Sequence, residues 1–259
     1  MNILCFGDSN TYGYRPDGTG RFDEKTRWTC LLQKKFGNGH RIIEEGLCGR
    51  TTIFSDAFRE GRRGLDQIGI TIETHNPIDL LVLMLGTNDC KTRFNASSKT
   101  IAKGLIQVIE KAKKYSSQPF ELLIISPIHL GNGVGDDGFD PEFDLASEQV
   151  SRQLAQEYRK VATHYHAGFL DASKIALPSE IDREHLDESG HAALADAVYK
   201  TITESGLLEK GMDSSFCHIA YYSSLMLLPT MRNTLREFLK LSRQSPRSRA
   251  STDFGSLPA

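Results

Sequence analysis

DLLVLMLGTND, residues Asp79–Asp89, decides the fold. Leu80 to Leu85 is apolar without a break, and Gly86-Thr87-Asn88-Asp89 ends the run abruptly. A half-exposed strand would alternate polar and apolar residues. An unbroken run closed by turn formers suits a strand covered on both faces, as in a parallel sheet. Three further apolar stretches, Asn2–Gly7, Arg41–Gly46 and Ala167–Asp171, read as strands beside it, and so does FELLIIS at Phe120–Ser126. The quoted strand itself is expected to run over Asp79–Gly86.

Helix-like stretches separate these strands: Thr26–Phe36, Arg62–Thr74, Ser98–Tyr115, Phe143–His164 and Glu188–Leu208. The third puts Ile101, Leu105, Val108 and Ile109 on one face and lysines on the other. The last has Asp187 or Ser189 as a cap and ends near Gly206. Alternation of strand and helix predicts an α/β fold, a three-layer sandwich on a parallel sheet with right-handed crossovers. Residues 1–210 make that domain. Residues 211–259 form an extension of different character, with 6 Lys and Arg against 3 Asp and Glu. Within it, Cys217–Leu228 is apolar, Met231–Leu241 has an amphipathic helical pattern, and the chain from Ser242 reads as disordered. A docking extension, a read-through sequence and a partner or membrane-surface segment all fit it.

Composition narrows the function. The 259 residues carry a formal net charge of −2, so no basic excess invites nucleic acid. No run approaches the ~18–20 apolar residues of a membrane span, which argues against membrane insertion. The first apolar run follows Met1 almost at once, leaving no room for a secretory signal, and a cytoplasmic location is expected. Five cysteines without a CxxC pair read as free thiols. His164 and His166 have no cysteine partner and the chain has no HExxH, so neither a metal nor a cofactor is expected. Gly131–Asp140 lacks a phosphate-loop signature and reads as a mobile rim over a site.

Parallel sheets bind ligands at the carboxyl ends of their strands. Those ends carry Gly7-Asp8-Ser9, Gly46-Leu47-Cys48-Gly49, Gly86-Thr87-Asn88-Asp89 and Ser126-Pro127. A serine hydroxyl attacks only when a base takes its proton, and that base is best a histidine oriented by a carboxylate. Asp182-Arg183-Glu184-His185-Leu186 supplies both. Its three-residue spacing lets Asp182 reach His185 Nδ1 and leaves Nε2 for Ser9. Acyl transfer also needs donors for the developing oxyanion. The N–H groups of Ser9 and Gly49 and the Asn88 amide are candidates. Asp8 and Asp89 read as loop-fixing carboxylates, Trp28 and Phe36 as packing for the first helix, and His191 as a solvated helix residue. Each block alone is ordinary turn chemistry; four in order on one sheet edge are not.

These blocks resemble the SGNH (GDSL-type) hydrolases over about Met1 to Leu208, through Gly7-Asp8-Ser9-Asn10-Thr11, Gly49, Gly86-Thr87-Asn88-Asp89 and Asp182-x-x-His185-Leu186. The resemblance implies a flavodoxin-like sheet of five parallel strands in the order 2-1-3-4-5. It also implies Ser9 as nucleophile, His185 as base, Asp182 as its orienter, and Ser9, Gly49 and Asn88 as the oxyanion hole. Arg27-Trp28, Ile43-Glu44-Glu45-Gly46-Leu47 and Met84-Leu85-Gly86-Thr87-Asn88-Asp89 look like the bacterial arylesterase and acyltransferase branch. That likeness implies short acyl esters as small-molecule substrates and a homo-oligomeric assembly. Asn10 stands where that branch is often apolar, and Tyr14 where it often has Trp. Both are candidates for the substrate pocket, together with His129 after the fourth strand. A thioesterase or lysophospholipase would use the same residues, and a binding module could keep the fold without turnover.

Overall fold

The computed structural model describes residues 1–207. The expectations placed on 208–259, including the 211–259 extension and Cys217, lie outside the described residues. In chain order the elements are β1 (Asn2–Gly7), a short α1 (Ser9–Tyr12), α2 (Trp28–Phe36), β2 (Arg41–Gly46) and α3 (Gly64–His75). They continue with β3 (Leu80–Met84), α4 (Ser98–Tyr115), β4 (Glu121–Ser126), α5 (Leu145–Tyr165), β5 (Gly168–Asp171) and α6 (Glu188–Glu204). The five strands form one parallel sheet in the order β2-β1-β3-β4-β5.

Side-chain alternation divides the strands between two cores. Leu4, Phe6, Leu81, Leu83, Leu122 and Ile124 pack toward α3, α4 and α5. Ile3, Cys5, Leu80, Val82, Leu123 and Ile125 pack toward α2 and α6. The central strand is therefore apolar on both faces because each face meets a helical layer. Among the described residues, no helix is long and apolar enough to cross a membrane.

Local chemistry sets the boundaries. Asp144 caps α5 by accepting from the Ser147 N–H at 2.8 Å, and Ser147 Oγ accepts in return from the Asp144 N–H. Asp187 caps α6 by accepting from the Gly190 N–H at 2.7 Å. Strand β3 is shorter than expected, since the ladder stops at Met84 while the chain stays buried through Asp89. Helix α2 begins at Trp28 rather than Thr26, because Thr26 and Arg27 bond back to the Asp23 carbonyl in a turn. Helix α1 was not anticipated at all: one helical turn is too short for a periodicity to show.

Candidate active site

Everything chemical converges on the carboxyl edge of β1, β3 and the loop before α6. After β1 the chain turns at Gly7, where a Cβ would lie 2.7 Å from the Met84 carbonyl oxygen and closer still to Thr11 Oγ1. Asp8 caps the turn, accepting from the Asn10 N–H at 3.0 Å, and its carbonyl accepts from the Thr11 and Tyr12 N–H groups. Ser9 is the first helical residue and is buried.

The loop before α6 carries its partner. Asp182 Oδ1 accepts from the Glu184 and His185 N–H groups, both at 3.0 Å. Asp182 Oδ2 accepts from His185 Nδ1 at 2.7 Å. His185 Nε2 then receives the Ser9 hydroxyl at 2.8 Å. Burial works against charge on Asp182, yet the imidazole and the two backbone donors outweigh it and hold its carboxyl below the ordinary range. Burial likewise opposes charge on His185, but Glu184 and Asp182 more than offset it, and its pKa is raised. An imidazole so placed is charged more readily than a free histidine.

The other wall is the segment after β2. Gly49 has φ +80, a conformation an L side chain resists. Arg50 holds this segment, donating to the Gly7 carbonyl at 2.8 Å and also to the Glu45 carbonyl, with its guanidinium 4.0 Å from the Phe6 ring centroid. Burial lowers Arg50 to about 10, still charged at neutral pH. Asn88 Nδ2 donates to the Arg50 carbonyl at 3.2 Å. Asp89 accepts from the Thr52 N–H and Oγ1, at 2.9 Å for the N–H. Burial pushes Asp89 up to about 7 and Asp8 up to about 6. Among the described residues, neither the Ser9 nor the Gly49 N–H donates to a protein acceptor.

Ser9, Gly49, Asn88, Asp182 and His185 line one cavity of about 230 Å³, with Tyr14, Pro16, Cys48, Arg59, Lys91, Asp140 and Glu184 completing its wall. The Tyr14 ring lies 4.8 Å from the His185 ring. Two expected pocket residues are elsewhere. Asn10 is buried with its amide committed to the backbone: Oδ1 accepts from the Leu186 N–H at 2.9 Å and Nδ2 donates to the Glu184 carbonyl at 3.4 Å. It buckles the serine turn to the histidine loop instead of facing a ligand. His129 is half-buried outside the cavity lining, because its neighbours Ile128 and Leu130 both turn into the cores. His191 is not solvated but completely buried, its Nδ1 accepting from the Trp28 N–H at 3.4 Å. Arg50, Lys91 and Glu184 escaped sequence reading. Glu184 was visible as a spacer inside the Asp182–His185 motif, but no pattern separates a buried charge from a solvated one.

Fold and site together define a class: a three-layer α/β hydrolase whose Ser-His-Asp chain sits on the carboxyl edge of a 2-1-3-4-5 sheet. The chain belongs to the GDSL-like Lipase/Acylhydrolase family, which its residues 5–193 match. It is a hydrolase acting on esters. A carbohydrate acetylesterase family member from Sinorhizobium meliloti is similar at 32% identity and TM-score 0.73, covering 78% of this chain and 97% of its own. The aryl esterase of M. smegmatis is similar at 29% identity and TM-score 0.73, covering 79% and 99%. Est24, a carbohydrate acetylesterase from Sinorhizobium meliloti, is similar at 28% identity with the same TM-score and the same coverages. No curated protein matches the chain.

Proposed function

We propose that this protein is a serine esterase that cleaves short, acetyl-type acyl esters of carbohydrate or aryl alcohols through an acyl-enzyme on Ser9. One observation carries the reading: Ser9, His185 and Asp182 form a continuous hydrogen-bonded chain, at 2.8 and 2.7 Å, in the wall of a cavity that also bears Gly49 and Asn88. A cavity of about 230 Å³, below the usual range of roughly 300–1,000 Å³, favours a small acyl group. The named neighbours support the substrate class.

The residues divide the work as follows. His185 Nε2 takes the Ser9 proton as Oγ attacks the ester carbonyl. Asp182 holds the Nδ1–H tautomer and offsets the imidazolium charge. The Ser9 and Gly49 N–H groups and the Asn88 amide receive the oxyanion. His185 then protonates the departing alcohol, and water activated by the same nitrogen releases the acid.

Hydrolysis of p-nitrophenyl esters from acetyl to dodecanoyl tests this. Turnover should peak at the shortest acyl groups and vanish in Ser9→Ala, which should keep the wild-type unfolding midpoint. Asn88→Ala should lose about 10²–10³ in kcat, the usual consequence of one missing oxyanion donor. Full activity in either variant would refute the assignment.

A further inference from the structure

The Asp182–His185 loop brings a second carboxyl to the cavity. Glu184 is 7% exposed and lines the cavity beside Ser9 and His185. Its backbone is fixed at both ends, the N–H on Asp182 Oδ1 and the carbonyl under Asn10 Nδ2. Its carboxyl is not: among the described residues no group donates a hydrogen bond to it, and Oε1 stands 3.8 Å from His185 Nε2, beyond hydrogen-bond reach. The residue is largely buried, but its carboxyl oxygens open on the cavity, where a bound ligand can supply the donor. Burial accordingly pushes the Glu184 carboxyl up, while His185 and Lys91 already answer its charge. What these oxygens lack is a hydrogen-bond donor rather than a counter-ion.

Position identifies the donor. His185 Nε2 must pass its proton to the leaving oxygen, so that oxygen comes within hydrogen-bond distance of Nε2. A carboxyl 3.8 Å from the same nitrogen borders the alcohol half of the ester, not the acyl half. The nearest donor an alcohol can offer there is a hydroxyl on the carbon beside the one bearing the ester oxygen. Resting on the esterase reading above, we propose that Glu184 is a specificity-determining residue. It accepts a hydrogen bond from that neighbouring hydroxyl, so the preferred substrates are monoacyl esters of vicinal diols, the arrangement of glycerol and sugars.

The test compares kcat/KM for 2-hydroxyethyl acetate and propyl acetate, which differ only in a terminal hydroxyl for a methyl. Wild type should favour the hydroxyl ester about 10-fold or more, because a site with a buried acceptor rejects the analogue that leaves it unpaired. Glu184→Met should bring the ratio close to one, and Glu184→Gln, whose amide oxygen still accepts, should fall between. Using the ratio cancels any effect of these variants on His185, and unfolding midpoints show that each variant is folded. A wild-type ratio near one, or an unchanged ratio in Glu184→Met, overturns the proposal and leaves the esterase reading standing. Preference for acetylcholine over both acetates, lost in Glu184→Met, overturns it in favour of a cation site. Absence of Ser9-dependent turnover of these esters and of p-nitrophenyl acetate overturns both readings.

Discussion

At the scale of single residues, the site sets two carboxylates against one imidazole. Asp182 bonds Nδ1 directly and Glu184 lies near Nε2. Burial alone would lower the pKa of His185; Glu184 first, then Asp182 and Asp8, raise it past the ordinary value. In the proposed mechanism His185 must be neutral to accept the serine proton. Rate against pH should therefore climb through an acid limb above the ordinary value of about 6.5. Glu184→Gln removes the largest raising influence, so its limb should move to lower pH; a limb that stays put or rises would contradict this electrostatic account. Asp182→Asn should cut kcat by about 10⁴, the loss that follows when the tautomer-fixing carboxylate of a serine protease triad is replaced by its amide. Ser9, Asp182 and His185 could be read in advance because each sits in a short motif. Asn10 and His129 could not be placed, since their roles depend on which neighbours turn inward.

At the scale of elements, one segment must be held for the proposed oxyanion donors to be of use. The chain from Leu47 to Thr52 lies outside helix and strand, and Arg50 and Asp89 pin it to β1 and to the turn after β3. Asp89 is completely buried and satisfies both the N–H and the hydroxyl of Thr52. Asp89→Ala would leave the Thr52 N–H buried without an acceptor, and about 1–3 kcal/mol of stability should go with it. Because Gly49 rides on the same segment, kcat should fall more than KM rises. Urea unfolding and steady-state kinetics on one preparation check both, and a loss of stability with untouched kcat would separate the pin from the site. Strands and long helices were legible in the sequence because burial on two faces, or on one, writes a period into many residues. The Leu47–Thr52 segment was legible only as a turn-like block, because its order comes from single hydrogen bonds to distant residues.

At the scale of the whole molecule, the cores on the two faces of the sheet differ in one respect that pH can probe. The core under α2 and α6 adjoins a histidine: His191, in the first turn of α6, lies wholly buried against the start of α2. Its ring centroid lies 5.3 Å from that of Phe22 in a near-perpendicular arrangement, and its Nε2 has no hydrogen-bond partner among the described residues. Burial pushes its pKa down to about 4, with Asp187 opposing the shift and His185 and Arg27 reinforcing it. Nothing in the residue pattern signals this, since a histidine six residues beyond His185 reads equally well as solvated; only the docking of α6 on α2 encloses it. The sign of the consequence is fixed by linkage. Between about pH 6.5 and pH 4 the unfolded chain holds a proton on this ring and the folded chain does not. Stability from neutral His191 is thus complete above about pH 6.5 and lost as pH falls toward 4, by about 3 kcal/mol at most. Asp8 and Asp89, whose carboxyls are raised, change stability in the opposite sense over part of the same range. They are common to wild type and to His191→Asn, so the difference between the two proteins isolates the histidine. The asparagine oxygen can still accept from the Trp28 N–H, and the smaller side chain should make the variant less stable at pH 7.5. That deficit should shrink by about 2–3 kcal/mol when urea unfolding is repeated near pH 4. A deficit that does not change with pH would mean that His191 folds with its proton on, and that its enclosure between α2 and α6 is looser than the packing here requires.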